Sequence, residues 1–525
     1  MVITLSLLAA VLQATPGAIL IDRNRVDRAS LPSAGAPTVA APPPKITGAS
    51  TGVPITGIRF VGAQAPGAVA EAARRFIGRA ATAATLAELA GALSNAYGRT
   101  AVALYTVAIP DQDFARGLVI VSLTEGRIAR AQVRGGAGHH PLLRRRMAPL
   151  TAESPLTRGT FERQLTLIRA IPGLTADTAL TDPGADGALT LTVTPRQRRS
   201  KITGGFSSRG VQGLGDGQLD AAAELYGVAR DGDQITLAAS TAGDLRRFRY
   251  ASLGYGVPLT DNGLTATANA AYLETRPRGF PVAGTAKQAG AAIAFPLIRG
   301  FSRTADVSLG LDGLNSDNAV FGNVVAREHT RALRAAASYS QATARRSASV
   351  SASLSHGLAI VGARVDRATA EAGFLKVALS TSAAQAIGKR LVLRLAASGQ
   401  YGRDRLPAAE RFAIGGEAIG RGFDTGLLTG DRGAGGSAEI ALRPLRAAAF
   451  AGSEVYGFVD GGVIDLLGRG GAATRRYSLA SAGAGLRARY RDKAEIGIEG
   501  ARVIDDPYAG YPERWRLSVT WRLKG

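Results

Sequence analysis

From about residue 200 to the end, apolar and polar residues alternate one by one. The clearest run is the last. Trp515, Leu517, Val519, Trp521 and Leu523 share one face of an extended chain, and Arg516, Ser518, Thr520, Arg522 and Lys524 share the other. In GLRARYRDKAEIGIEG, Leu486, Ala488 and Tyr490 oppose Arg487, Arg489 and Arg491, and beyond the turn Ile496 and Ile498 oppose Glu495, Gly497 and Glu499. NGLTATANAAYLE and GDQITLAAST carry weaker versions, with turn sequences such as TDNG and ARDGD between runs. Residues 200–525 divide this way into about sixteen segments of roughly ten to fifteen residues. A soluble sandwich also alternates, but it does not need so long an uninterrupted series. Tilted strands of about ten residues cross a bilayer, so the pattern predicts a transmembrane β-barrel with a polar lumen.

Before residue 200 the period is different. ITGIRFVG reads as a strand, and AVAEAARRFIGRA and TLAELAGALSNAYGR read as helices, the second with Leu86, Leu89, Leu93 and Tyr97 on one face. AVALYTVAI and GLVIVSLTEG follow as strands. Together they predict a small α/β module over residues 54–133. Residues 134–199 read as a second such module, with a helix in LTRGTFERQLTLIRAIPG, stopped at Pro172-Gly173, and a strand in GALTLTVTP. Residues 31–45 are rich in Pro and Ala and read as an extended linker within an N-terminal segment, 19–53. Val2 to Leu12 is an apolar run of signal-peptide length followed by small residues, so residues 1–18 are expected to be a signal peptide, although no Lys or Arg precedes the run.

Composition narrows the chemistry. The chain has 525 residues and no cysteine, which excludes disulfides, cysteine-ligated zinc and thiol catalysis. None of the four histidines has metal-ligand spacing, and His139-His140 reads as a solvated turn, so no metal is expected. The net charge is +22, spread along the chain rather than gathered in an arm. With aromatics at 6% this is not the footprint of a nucleic-acid binder. Arginines lining a barrel lumen account for much of it. Nothing has the context of a nucleophile elbow or a general-acid pair, so neither enzyme nor cofactor is expected.

GGEAIGRGFDTG, Gly415 to Gly426, approaches a phosphate loop but lacks the Lys and Ser/Thr that such a loop needs. Four stretches together resemble a known family instead, the outer-membrane transporters of two-partner secretion (TpsB type, hemolysin secretion/activation proteins). IPDQDFARGLVIVSLTEGRI is similar to the end of that family's first periplasmic POTRA domain, and FERQLTLIRAIPG to a helix of its second. ERFAIGGEAIGRGFDTGLLTGDRG resembles the long loop between two late barrel strands, and GFVDGGVI a strand with an inward aspartate. The resemblance spans residues 54–525 in the family's order. It implies two POTRA domains (54–133 and 134–199) and a barrel (200–525). It also implies that the loop tip Gly420, Arg421, Gly422 and Phe423 folds into the barrel, with Arg421 paired to Asp460. Glycines flanking Arg421 let the backbone turn tightly, and a guanidinium can give one carboxylate two parallel hydrogen bonds. Glu439 is expected near the loop in the lumen. Asp111, Gln112, Asp113 and Glu125 mark the first module's motif, PDQDF reading as a strand-capping turn or a partner contact. The family implies a secreted TpsA-type exoprotein as partner, lipid around the barrel, and barrel assembly machinery for insertion, although WRLKG is an unusual end for that recognition. An N-terminal plug helix would have to come from residues 19–30. The alternative function is an insertase for other outer-membrane proteins.

Overall fold

The computed structural model describes residues 52–135, 140–181, 187–215, 217–279, 281–321, 323–445 and 447–525. The expected signal peptide, the linker and any plug helix lie outside them. The chain divides into two compact units, one holding the N-terminal modules and one holding the later strands.

In the first unit, the first module runs β1 (Gly57–Gly62), α1 (Gly67–Arg74), α2 (Ala83–Tyr97), β2 (Tyr105–Ala108) and β3 (Leu118–Glu125), with sheet order β1-β3-β2. Alternation in β3 sends Val119, Val121 and Leu123 into a core with Leu86, Leu89, Leu93 and Tyr97 of α2. Thr82 caps α2 by accepting from the Thr85 N–H at 3.2 Å. The second module runs β4 (Arg127–Val133), α3 (Pro141–Ala152), α4 (Arg158–Arg169), β5 (Leu174–Thr181) and β6 (Ala188–Gln197), ordered β4-β6-β5. The expected division at residue 133 differs from the pairing. β4 lies parallel to β6, so the second sheet begins at Arg127. RIARAQV hides its strand because arginines interrupt the apolar positions. Pro149 and Arg144 to Arg146 likewise mask α3, whose Leu142, Leu143, Met147 and Leu150 are buried. His140, expected to be solvated, is buried at the start of that helix.

The motif in PDQDF is a piece of sheet chemistry. Beyond Ala108, β2 no longer pairs with β3, and the Gln112 side chain takes over. Its amide donates to the Ile120 carbonyl at 2.8 Å and accepts from the Ile120 N–H at 2.7 Å. Asp113 accepts from the Ala115 N–H at 2.8 Å, a local turn. Asp111 is exposed. Glu125 accepts from the Tyr97 hydroxyl at 3.4 Å. Burial first, and then the Glu125 charge, push that phenol up to about 12.

The second unit is a closed antiparallel barrel of sixteen strands among the described residues. They are β7 (Ser200–Ser207), β8 (Gln218–Tyr226), β9 (Gln234–Ala242), β10 (Phe248–Pro258), β11 (Thr265–Thr275), β12 (Val282–Arg299), β13 (Arg303–Val320), β14 (Asn323–Ala342), β15 (Arg346–Gly357), β16 (Leu375–Ile387) and β17 (Leu391–Gly402). After a two-stranded insertion, β18 (Phe412–Ile414) with β19 (Leu428–Gly430), come β20 (Arg432–Leu442), β21 (Glu454–Leu466), β22 (Arg475–Tyr490), β23 (Ala494–Asp505) and β24 (Trp515–Lys524). β24 pairs with β7 and closes the ring. Alternation runs as the sequence predicts: Ile496 and Ile498 are about half exposed on the outside, and Glu499 between strands of the same wall is buried.

Two outcomes test the first unit. Gln112→Ala should cost about 1–3 kcal/mol, because it strands both Ile120 backbone groups; hydrogen exchange at Ile120 in the full chain reads it. Glu153 accepts from the Thr157 N–H and hydroxyl at 3.0 and 2.8 Å and from the Thr160 hydroxyl at 2.5 Å. Burial pushes its carboxyl up, but these bonds outweigh it and hold the group below its ordinary value. A depressed carboxyl lends stability that is present above the ordinary pKa and lost as pH falls through the folded one. Protection of the first turn of α4 should therefore fall below about pH 4, and Glu153→Gln should abolish that dependence.

Candidate functional site

Between β18 and β19 the chain turns back against the inner face of the wall formed by β20 to β23. The turn depends on glycine. Gly415, Gly416 and Gly420 have φ of +105°, +104° and +83°. A Cβ on Gly420 would stand 2.6 Å from Leu479 Cδ1 and 3.2 Å from Gly415 Cα, so a side chain there would also force its neighbours to shift. Gly422 donates its N–H to Ser481 Oγ at 3.1 Å. Phe423 is buried with Ile414, Ile419, Leu428, Ile464, Leu479, Val503 and Tyr511, and its ring lies 5.5 Å from that of Tyr511. An apolar plug thus seats the tip beside its polar contacts.

Arg421 lies between them, 5% exposed. One terminal nitrogen, Nη1, donates to Glu439 Oε2 at 3.0 Å and to Glu499 Oε2 at 3.3 Å. Its guanidinium carbon sits 4.2 Å from the centre of the Phe458 ring. Asp460 behaves differently from expectation. Its carboxylate is 3.5 Å from Arg421 Nε, within ion-pair range, but two parallel hydrogen bonds do not form. It accepts instead from the Arg421 backbone N–H, at 3.3 and 3.2 Å to its two oxygens, and from the Ser481 hydroxyl at 2.5 Å. The reason is placement. Asp460 on β21 lies under the turn, whereas Glu439 on β20 and Glu499 on β23 reach the end of the side chain.

These groups continue into a ladder on the wall. Arg487 donates to Glu439 at 2.5 Å and to Glu454 at 2.9 Å. Arg394 donates to the same two at 3.0 and 2.6 Å. Arg443 adds a bond to Glu454, Arg209 one to Glu499, and the Tyr456 hydroxyl gives Glu499 another at 2.7 Å. Five arginines therefore meet four carboxylates. Each buried carboxylate has more than one donor, the condition under which buried charge is tolerated.

The ends of the inserted segment are pinned separately. Glu410, fully buried, pairs with Arg334 at 2.7 Å and Lys376 at 3.0 Å. Asp431, also fully buried, accepts from the N–H groups of Leu406 and Leu467 and pairs with Arg469 at 2.5 Å. Arg516 holds Asp424 at 2.6 Å. Glu410 and Asp431 lie within the stretch singled out from sequence, but no signal marked them as anchors. Arg487 and Glu499 were legible as inward residues from alternation. Their joining to Arg421 was not, because it depends on strand register.

With this geometry in view, the comparisons with known proteins are specific. The family model described as haemolysin secretion/activation protein ShlB/FhaC/HecB matches residues 187–488. Among solved structures, CdiB from Escherichia coli matches with a TM-score of 0.70 at 15% identity, covering 98% of this chain and 96% of that one. CdiB from Acinetobacter baumannii matches at 0.61 and 18%, covering 100% and 96%. BamA from Haemophilus ducreyi lacking POTRA domains 1–3 matches at 0.53 and 14%, covering 90% and 100%. At these identities the likeness is one of fold. No curated protein sequence matches the chain.

Removing the guanidinium should release the tip. Arg421→Ala leaves Glu439 and Glu499 short of a donor and should weaken loop docking by about 3–5 kcal/mol. Protease cleavage within residues 415–427 should appear in that variant while the barrel keeps its heat-modifiable gel mobility. Arg421→Lys should restore little, since an ammonium lacks the planar face that stacks on Phe458.

Proposed function

The chain belongs to the haemolysin secretion/activation protein family ShlB/FhaC/HecB, and from that premise we propose how its parts act. The protein is an outer-membrane β-barrel transporter of two-partner secretion, with POTRA-type periplasmic modules and a secreted TpsA-type exoprotein as cargo. The family is one of secretion pores rather than of enzymes. The likeness to BamA is a likeness of barrel fold and carries no insertase activity with it.

In the proposed mechanism the two modules, residues 54–126 and 127–199, capture unfolded cargo by strand addition to exposed sheet edges. Backbone groups there bind without regard to sequence. The observation that carries the channel mechanism is the arginine loop docked inside the barrel against the wall, on Glu439, Asp460 and Glu499. Such a loop occupies space that a translocating chain needs. Its ionic contacts are many but individually exchangeable with water and with a polar chain, so it acts as a gate held by charge. The segment before the modules, 19–53, links them to an export signal at 1–18. Acyl chains take up the apolar outer band, and the barrel assembly machinery inserts the protein. No nucleoside triphosphate reaches this membrane, so transport draws on binding and on cargo folding outside.

The test is the culture supernatant with and without the gene. Loss of one large protein, with other outer-membrane barrels at normal levels, is the expected result. A general fall in barrels with an unchanged supernatant would favour the insertase reading. Arg421→Ala should insert normally yet impair secretion, because the undocked loop is left free within the channel rather than held against its wall; unchanged secretion at a normal barrel level would count against the gate.

A further inference from the structure

On the outer wall of the barrel, β12 to β14 carry a patch of charge above their apolar band. Parity along β14 fixes which side chains face out. Arg334 and Glu328 reach the inserted segment inside, at Glu410 and at the Ala408 N–H, so the odd-numbered residues of the strand face out. From the periplasmic end these are Tyr339, Ala337, Ala335 and Leu333, then Arg331, His329 and Arg327. On β13 the outward Leu309 and Leu311 give way to Gly313 and Asn315, which pair with Arg331 and His329. On β12 the outward series Leu297, Phe295, Ile293, Ala291 and Ala289 ends at Lys287. Gly290 lies against Asp312 and Gly310 against Ala292, so Lys287 stands opposite Asn315 on its other side. Each outward position climbs about 5 Å at the tilt of a barrel strand. Arg331 is therefore about 20 Å above Tyr339, and Lys287 about 25 Å above Leu297, where an apolar band of about 25 Å ends. β7 follows the periplasmic modules along the chain, so β13 runs outward and β14 returns. The patch sits at the extracellular rim.

Its donors are held in place and left open. Arg331 lies flat over Gly313, where a Cβ would stand 3.1 Å from the arginine Cδ. Its Nη1 donates to Asn315 Oδ1 at 2.9 Å and to the Thr330 carbonyl at 2.8 Å. Its Nε and Nη2 bond to no described residue. Asn315 accepts through its oxygen, so its NH2 points away with no acceptor among the described residues. Lys287 is exposed and has no partner among them either. Two carboxylates stand on the same face, and both are engaged: Asp317 by His329 at 3.0 Å, and Glu274 by Arg276 at 2.5 Å. Tyr272 lies opposite Lys287 on β11, an aromatic at the level where barrels carry them. A cation facing lipid is costly at the midplane and costs little near the interface, and there a phosphate can take charge-assisted bonds from all three donors. We propose that Lys287, Asn315 and Arg331 form a phosphate site on the outer wall, and that its ligand is the phosphorylated glycolipid of the outer leaflet, lipid A. The extracellular rim decides the ligand, because phosphoglycerolipids lie mainly in the opposite leaflet. Arg327, exposed above His329, continues the positive surface outward.

The full chain in detergent serves for the test, with fluorescent lipid A carrying its phosphates as probe and the dephosphorylated form as control. The phosphorylated form should bind about ten-fold or more tighter, and its binding should weaken as salt rises. Lys287→Gln/Arg331→Gln should lose about ten-fold or more in affinity. Lys287→Gln alone breaks no contact with a described residue and should lose part of it, and heat-modifiable mobility checks the barrel in each variant. Arg475→Gln removes an exposed cation from another hairpin and should bind as the unaltered chain does. Equal affinity for the dephosphorylated form, or undiminished binding by the double variant, would overturn the proposal. An equal loss in Arg475→Gln would also overturn it, by reducing the attraction to net charge. So would displacement of the probe by an equal concentration of phosphatidylglycerol, or by millimolar inorganic phosphate, since the site would then select neither the leaflet nor the glycolipid. None of these outcomes involves cargo, so the secretion reading stands or falls on the supernatant experiment alone.

Discussion

In hydrocarbon no water is at hand to satisfy a peptide group, so every backbone N–H and C=O of a spanning strand must find a partner within the protein. Pairing β24 with β7 meets that demand by leaving the ring without an edge. Much else follows. A closed ring has an inside, and alternation delivers every second side chain to it. Apolar residues such as Ile498 and Leu517 face outward, where they cost nothing against lipid. Glu439, Arg487 and Glu499 are thereby gathered on the inner wall, although 60 residues of sequence separate the first from the last.

Gathered charges must be matched. A lone buried carboxylate would be expensive, and so would an incomplete network. The wall alone does not complete it. Glu439 has Arg394 from the adjacent β17 and Arg487 from β22, two strands away, but Glu499 receives Arg209 and Arg421 from loops. The inserted loop is thus part of the wall's charge balance as well as an occupant of the interior. This makes its position specific, because the seat offers the Arg421 guanidinium two carboxylates and an aromatic face, and its backbone N–H the Asp460 carboxylate. It also makes its departure possible, because a hydrated interior or a polar chain can supply substitute partners.

The barrel was legible in the sequence because its physical cause is a period of two sustained over many strands. The first module was legible for a similar reason, its α2 stripe of Leu86, Leu89, Leu93 and Tyr97 being unbroken. The second module was less so. In β4 and α3 arginines sit among the apolar residues, and the core positions show only once the fold has placed them. Glycines around Arg421 announced a special turn. Which carboxylates it would meet depended on the register of β20 to β23, a property of the assembled sheet. Gln112 is the converse case. As a turn residue it was foreseeable, but its imitation of a strand against Ile120 requires knowing where β2 stops.

The two units treat sheet edges in opposite ways. The barrel removes them, as the bilayer requires. The N-terminal modules keep four, one on each side of each three-stranded sheet. Open edges are ordinarily hazards for aggregation, and proteins blunt them with charge and bulges. Both devices occur on β4, with arginines along the strand and a register shift at Ala129. There the protection is of one sign only. It repels copies of itself, so the edge is guarded against self-pairing. Arginine serves on the exposed strand and in the buried wall alike, because its guanidinium stays ionised in either setting.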